Sequence, residues 1–234
     1  MAAKGHGTKS RGRSLTAREA ALEVLARVEH EGAYSNLDLG RTLRKAALGR
    51  QDAALATELV YGTIQRRNTL DYWLESFVAG GLDRLEPWVG SLLRMSLYQI
   101  VWLERIPDHA AVHEAVAIAR KRGHGGIAGL VNAVLRNCLR FRDQLAIPDT
   151  GDPVRRIALA HSHPEWLVDR WIRQFGEAEA EAICAANNAP PRAGIRANLL
   201  RLTREELVER LRRKGLEAEP SPLSAAGVAV SGGG

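Results

Sequence analysis

The sequence predicts a mainly α protein: an all-α helical bundle, a helical connector, and the start of a small α+β subdomain. Three observations carry this expectation. Apolar residues recur at helical spacing through every long segment up to about residue 140. Helix-start signals, such as Thr16 with Glu19 and Thr203 with Glu206, stand just ahead of those segments. After Pro190-Pro191 the pattern shortens and begins to alternate, as strands do. The expected division is a disordered basic tail over 1–13, a helical domain over 14–143, a linker over 144–152, and a connector with a partial α+β subdomain over 153–234.

Each element has its own justification. Residues 1–13 hold Lys4, Lys9, Arg11 and Arg13 among glycines with no acidic residue, so they cannot bury enough apolar surface to order themselves. The Thr16/Glu19 capping box opens a helix with Ala21, Val24, Leu25 and Val28 on its apolar face, and Gly32 turns the chain toward a second helix from Ser35. A third helix runs from Asp52 with Gly62 inside it. A mid-helix glycine costs about 1 kcal/mol against alanine, so its presence implies close approach of another helix. Trp73, Leu74 and Phe77 mark a fourth helix. Pro87 suits the first position of a fifth, where its missing N–H is no loss. Asp108 is expected to cap a helix carrying Val112, Ala115, Val116 and Ala119, and a glycine-rich turn leads to another with Ile127, Val131, Val134, Leu135 and Cys138. That makes about seven helices before the Gln144–Asp152 linker. Helix restarts at Asp152-Pro153, breaks at His161–Pro164, resumes to Gly176, and runs again through Ile183 to Asn188. Ala193–Leu199, Leu216–Glu219 and Gly227–Val230 read as strands around a helix opened by Thr203.

Composition narrows the function. The chain of 234 residues carries 33 Lys+Arg against 27 Asp+Glu, a net charge of +6 that favours a polyanionic partner through counterion release. Its two cysteines, Cys138 and Cys184, sit in helical patterns without a CxxC, which supports neither a disulfide framework nor a zinc module. No apolar run approaches the roughly 20 residues that span a bilayer. The N-terminus lacks a signal-peptide core, so the cytoplasm is the expected location.

The candidate constellations divide by spacing. His109 and His113 lie four apart on a helix, but no third ligand stands nearby, so no metal is expected. Gly123–Ala128 matches a G-x-G-x-x-A dinucleotide pattern, yet that fingerprint needs a preceding strand and a helix precedes it here. Free N–H groups near Ile127 could still hold an RNA phosphate. Trp166 and Trp171 could stack on bases, although their helical spacing with Leu167 and Phe175 favours core packing. Arg136 and Arg140 share one helix face beside the glycine turn, with Asn132 four residues before Arg136.

A family resemblance sharpens this reading. LATELVYGTIQRRNTLDYWL (55–74), LLRMSLYQIVWLERIPDHAAVHEAVAIAR (92–120) and GLVNAVLR (129–136) resemble the NusB-type RNA-binding domain. HSHPEWLVDRWIRQFG (161–176) and NNAPPRAGIRAN (187–198) resemble the segment that joins such a domain to the catalytic part of bacterial rRNA cytosine-C5 methyltransferases of the RsmB (Sun/Fmu) type. His113 stands where that pattern usually has Asn. The resemblance implies S-adenosylmethionine as cofactor of the full-length enzymes and a Cys nucleophile. This sequence has no Pro-Cys motif and no glycine-rich loop after a strand, so it is expected to be a truncated form with no catalytic residue, no cofactor of its own and no methyl transfer by itself. The implied partner is small-subunit rRNA, bound by a monomer without membrane or metal. The residues expected to meet RNA are Lys9, Arg11, Arg13, Arg18, Arg66, Arg67, Arg136 and Arg140. The alternative is a stand-alone NusB-type RNA-binding or transcription antitermination factor.

Overall fold

The structure, a computed structural model, describes residues 15–148, 151–189 and 193–231. Local sequence signals set the helix starts. Thr16 accepts from the Glu19 amide at 3.2 Å while Glu19 reaches back to the Thr16 amide at 2.9 Å, opening α1 (Ala17–Glu31). Gly32 closes α1 in the left-handed region, φ 63°. There follow α2 (Ser35–Ala46), α3 (Arg50–Gln65), α4 (Arg67–Glu75), α5 (Pro87–Trp102), α6 (Asp108–Arg122) and α7 (Gly125–Arg140).

Helix α5 organises the bundle, packing against α1, α3, α4, α6 and α7. Its sequence is apolar on nearly every side, and Leu92, Leu93, Met95 and Leu97 are buried almost completely. Removing one such side chain from water contributes about 1.5–3 kcal/mol, which makes this helix the main source of cohesion. Gly62 has the role its position implies: a Cβ there would lie 2.0 Å from Tyr98 Cζ of α5, so only glycine lets α3 and α5 meet. Tyr98 then stacks on Trp102 at 5.5 Å, and Trp102 on Trp73 at 5.7 Å.

One expected cap is not made. Pro107 occupies the N-cap position of α6 and makes no side-chain bond there, while Asp108 is the first helical residue and pairs with Arg142 at 3.2 Å. The carboxylate still lies in the first turn, where it favours the helix dipole, but a cation 34 residues away takes its oxygen.

Beyond residue 150, Asp152 accepts from the Val154 and Arg155 amides and opens α8 (Pro153–His161). It leads to α9 (Glu165–Phe175), ended by Gly176, and α10 (Glu177–Asn188). The described residues form two compact units that divide between Cys184 and Ala185. Residues 153–184, which the sequence places beyond a linker, therefore pack in the same unit as the bundle. The Asn68 amide donates to Ser162 Oγ at 2.9 Å and its side chain to the His163 carbonyl at 3.1 Å, tying α8 to α4. Ile157, Ala158, Val168 and Cys184 form a small core of their own.

The second unit holds β1 (Ala193–Arg196), α11 (Arg204–Arg213), β2 (Glu217–Pro220) and β3 (Gly227–Ser231). Thr203 and Glu206 form the capping box expected of them. The sheet is antiparallel in the order β1-β3-β2, with Ala193 and Ala218 both opposite Val230. Val208 of α11 packs on Ala218 and Val228. β1 ends one residue past Ile195, shorter than the Ala193–Leu199 stretch that alternates in sequence.

Candidate nucleic-acid interface

Of the basic residues expected to meet RNA, those within the described residues have very different surroundings. Lys9, Arg11 and Arg13 lie outside the described residues. Arg18 is half-buried and donates from Nε to the buried Gln99 amide of α5 at 2.7 Å. Arg66 lies over the Trp102 ring, Cζ 5.3 Å from its centroid. Burial holds its basicity below that of a free guanidinium. Arg67 pairs with Glu29 at 2.6 Å and Asp71 at 3.6 Å, in a network that also engages Arg94. These three side chains are built into contacts between helices.

Arg136 and Arg140 differ. Both are exposed on α7, one turn apart, and neither has a carboxylate partner among the described residues. Arg136 Nε donates to Asn132 Oδ1 at 3.0 Å, which fixes the guanidinium against the helix and leaves its remaining N–H groups outward. The same face continues toward the N-terminus through Ala133, Gly129 and Gly126, all exposed. At that end His124 caps the helix by accepting from the Gly126 amide at 3.1 Å, so one of the N–H groups available to a phosphate is taken internally.

Two grooves flank this region. One, of about 670 Å³, is lined by Leu15, Leu22, Trp88, Ile118, Lys121 and Arg122, among others. Arg122 lies over Trp88 at 5.2 Å, and Lys121 is hydrogen-bonded to Glu19. Burial raises the Glu19 carboxyl, but the Lys121 bond and the Thr16 amide outweigh it and hold it below its ordinary value. The other, of about 440 Å³, lies between α6 and α7 and includes His109, His113, Asn132 and Arg136. From sequence, Arg120, Lys121 and Arg122 read as a basic cluster on a solvated face, and Trp88 stands out by no motif; a lone tryptophan after a helix-opening proline and a cation beside Gly123, 34 residues on, share no local signal.

Trp166 corrects an expectation. It is 66% exposed on α9 instead of packing in a core, whereas Trp171 is half-buried against the small core and tilts over His163 at 5.7 Å. The α8–α10 layer has only a small core, around Ile157, Ala158, Val168 and Cys184, and Val154, Trp171 and Ile172 already pack against it, which leaves the indole of Trp166 outside.

The thiols and glycines also bear on methyl transfer. Burial pushes the Cys138 thiol up to about 12 and also raises Cys184, which disfavours a thiolate at either position. The Gly123–Gly126 turn follows α6, not a strand. Neither feature fits an S-adenosylmethionine seat with a Cys nucleophile beside it. No helix among the described residues is long and apolar enough to cross a membrane, and no group of three or more His, Cys, Asp or Glu among them could hold a metal ion.

Comparison with known proteins fits this architecture. Residues 15–140 match the NusB family, and residues 163–233 match the ferredoxin-like domain of RsmF/B-like methyltransferases. The chain is 44% identical over 212 residues to a probable ribosomal RNA small subunit methyltransferase B of Bacillus subtilis (strain 168), covering 91% of this chain and 47% of that protein. A ribosomal RNA small subunit methyltransferase B of Pseudomonas syringae pv. tomato is 35% identical over 217 residues, covering 93% of this chain and 47% of its own length. The chain thus spans about half the length of the curated relatives it matches. Among solved structures, PH0851 superposes with a TM-score of 0.61 at 17% identity over 94% of this chain and 49% of that one. A chain from the complex of antitermination factors NusB and NusE with dsRNA gives 0.50 at 19% identity, over 53% of this chain and 94% of that one. These two likenesses speak for the fold.

Proposed function

From a chain that belongs to the NusB family and continues into an RsmF/B-like ferredoxin-like domain, we propose an RNA-positioning role: it is the RNA-binding N-terminal part of an S-adenosylmethionine-dependent rRNA (cytosine-C5) methyltransferase. Its partner is small-subunit rRNA, which it holds as a monomer in the cytoplasm. The observation that carries the reading is the pair Arg136 and Arg140, exposed one turn apart without carboxylate partners among the described residues. Such a pair releases phosphate counterions on binding with no ion pair to break first. The basic residues Lys9, Arg11 and Arg13 add to the same attraction for a polyanion. Arg18, Arg66 and Arg67 contribute less, since each already serves a contact within the bundle.

The relatives named as methyltransferases are about twice as long as this chain, and the methyl-transfer chemistry is assigned to the portion of such proteins not represented here. Calorimetry of this chain with S-adenosylmethionine is accordingly expected to give no isotherm. The alternative, a stand-alone antitermination-type factor, carries less because residues 163–233 match a methyltransferase-associated domain.

The test is a salt titration of binding to small-subunit rRNA fragments. Replacing Arg136 and Arg140 together by alanine should weaken binding and flatten the slope of log K against log salt by about 1.4 to 1.8. Each phosphate left without its cation accounts for roughly 0.7–0.9 of that change. An unchanged slope would remove this face from the interface.

A further inference from the structure

We propose that the groove between α6 and α7 seats one unstacked nucleobase of a single-stranded RNA, with Asn132 reading the base edge and Arg136 holding the adjoining phosphate. This rests on the RNA-binding reading and assigns a site within it. The groove has a volume of about 440 Å³, inside the range of roughly 300–1,000 Å³ typical of small-ligand pockets. Its walls are Val112, Val116 and Leu139, which offer an apolar surface to the flat face of a base.

The polar rim is specific in its chemistry. Arg136 can only donate, so the Asn132 oxygen must face it, and the bond of 3.0 Å sets the orientation of the amide. The group left for a ligand is the Asn132 N–H₂. A donor at the rim selects an acceptor on the base edge, such as a pyrimidine carbonyl or the O6 and N7 of guanine. Arg136 has Nη groups to spare for the phosphate of the same nucleotide, and Arg140 stands about 6 Å farther along the axis for a neighbouring one.

Charge supports an anionic ligand. Asp108 lies in the groove lining but is neutralised by Arg142 at 3.2 Å, and Glu114 lies beside His113 at 3.9 Å. An amphipathic protein helix is a poorer occupant, because the α6 side of the groove presents His109 and His113 at its rim instead of a continuous apolar stripe. A paired duplex is poorer still, since its bases are stacked inside and cannot enter.

The experiment is fluorescence anisotropy of the full chain with an end-labelled single-stranded RNA of mixed sequence, and with the same strand annealed to its complement. Wild type should bind the single strand about tenfold more tightly than the duplex, the preference expected from roughly one base stacked on the protein. Val116→Phe, which fills the groove from α6, should abolish that preference while leaving duplex affinity unchanged. Asn132→Leu, which acts from α7 and also releases Arg136, should likewise abolish the preference, read as the ratio of single-strand to duplex affinity, so a folding defect in one variant leaves the other to decide. Arg140→Ala should weaken both RNAs equally. If both groove variants fold and bind the single strand like wild type, the nucleobase seat is wrong while the RNA-binding reading stands on the Arg140→Ala result. If Arg140→Ala changes neither RNA and wild type shows no preference, both fall together.

Discussion

Two arginine pairs, identical in residue type and each near a helix end, have opposite fates in this molecule. Arg66 and Arg67 join α3 to α4 and are consumed: one is laid over Trp102, the other is clamped between Glu29 and Asp71. Arg136 and Arg140 on α7 are left outward, with Asn132 steering the first and no carboxylate meeting the second among the described residues. Sequence proximity to aromatic or apolar residues does not distinguish them. What does is whether the fold brings an acceptor from a distant segment, and for Arg67 that acceptor is 38 residues away. A cluster of basic residues is thus a surface for a partner only after its internal partners have been counted.

Substitutions at each pair test whether their fates differ as the contacts imply. The largest effect is expected from Gly62→Ala, which drives a methyl group into the Tyr98 ring and disturbs the stack that supports Arg66. A loss of about 3 kcal/mol is expected, at the upper end for overpacking, read as a lower urea midpoint; an unshifted midpoint would show that α3 and α5 are not in such close contact. Next, Arg66→Ala should cost about 1 kcal/mol through weaker packing and the missing cation–π interaction, with RNA affinity changed less than by the α7 pair. Should Arg66→Ala weaken RNA binding as strongly as Arg136→Ala with Arg140→Ala, the contrast between the pairs would collapse. That double variant should in turn leave stability within about 0.5 kcal/mol of wild type, as exposed substitutions do.

A smaller effect concerns pH. Burial holds His161 below its ordinary value, despite a contact with Glu181 that pulls the other way. The unfolded chain therefore takes up the proton first. Stability due to neutral His161 is complete above the ordinary imidazole value of about 6.5 and is lost as pH falls below it. Glu181 is held low chiefly by its bond to Arg156, so its contribution is present above the ordinary carboxylate value and lost on further acidification. Both trends have the same sign: the thermal midpoint should fall between about pH 7.5 and about pH 5.5, and His161→Gln should flatten that part of the profile. The least perturbing probe is chemical. With its thiol buried and pushed up to about 12, Cys138 should resist alkylation at about pH 8 until denaturant is added; rapid labelling of the native chain would contradict the packing of α7.

Much of the architecture was legible in the residues. Both capping boxes, the proline at the start of α5, the glycine after α1 and the Asp152-Pro153 restart depend on atoms within a few positions of one another, so a linear reading reaches them. The Gly62 contact was legible as well, because an unfavourable residue in a helix interior must be compensated by packing. Asp108 and Trp166 were misread for the converse reason. Arg142 captured the carboxylate across 34 residues, and the α8–α10 layer was too thin to cover a second indole.

Signals between near neighbours set the helices, most of their ends, the change to strands after Pro190-Pro191 and the family signatures over residues 55–74, 92–120 and 129–136, but not the start of α6. The tertiary structure alone decided which cations remain available and that a groove opens between α6 and α7 beside Arg136. Periodicity and capping are short-range and written in neighbouring residues. Pairing, stacking and concavity arise only when segments tens of residues apart come within a few ångströms.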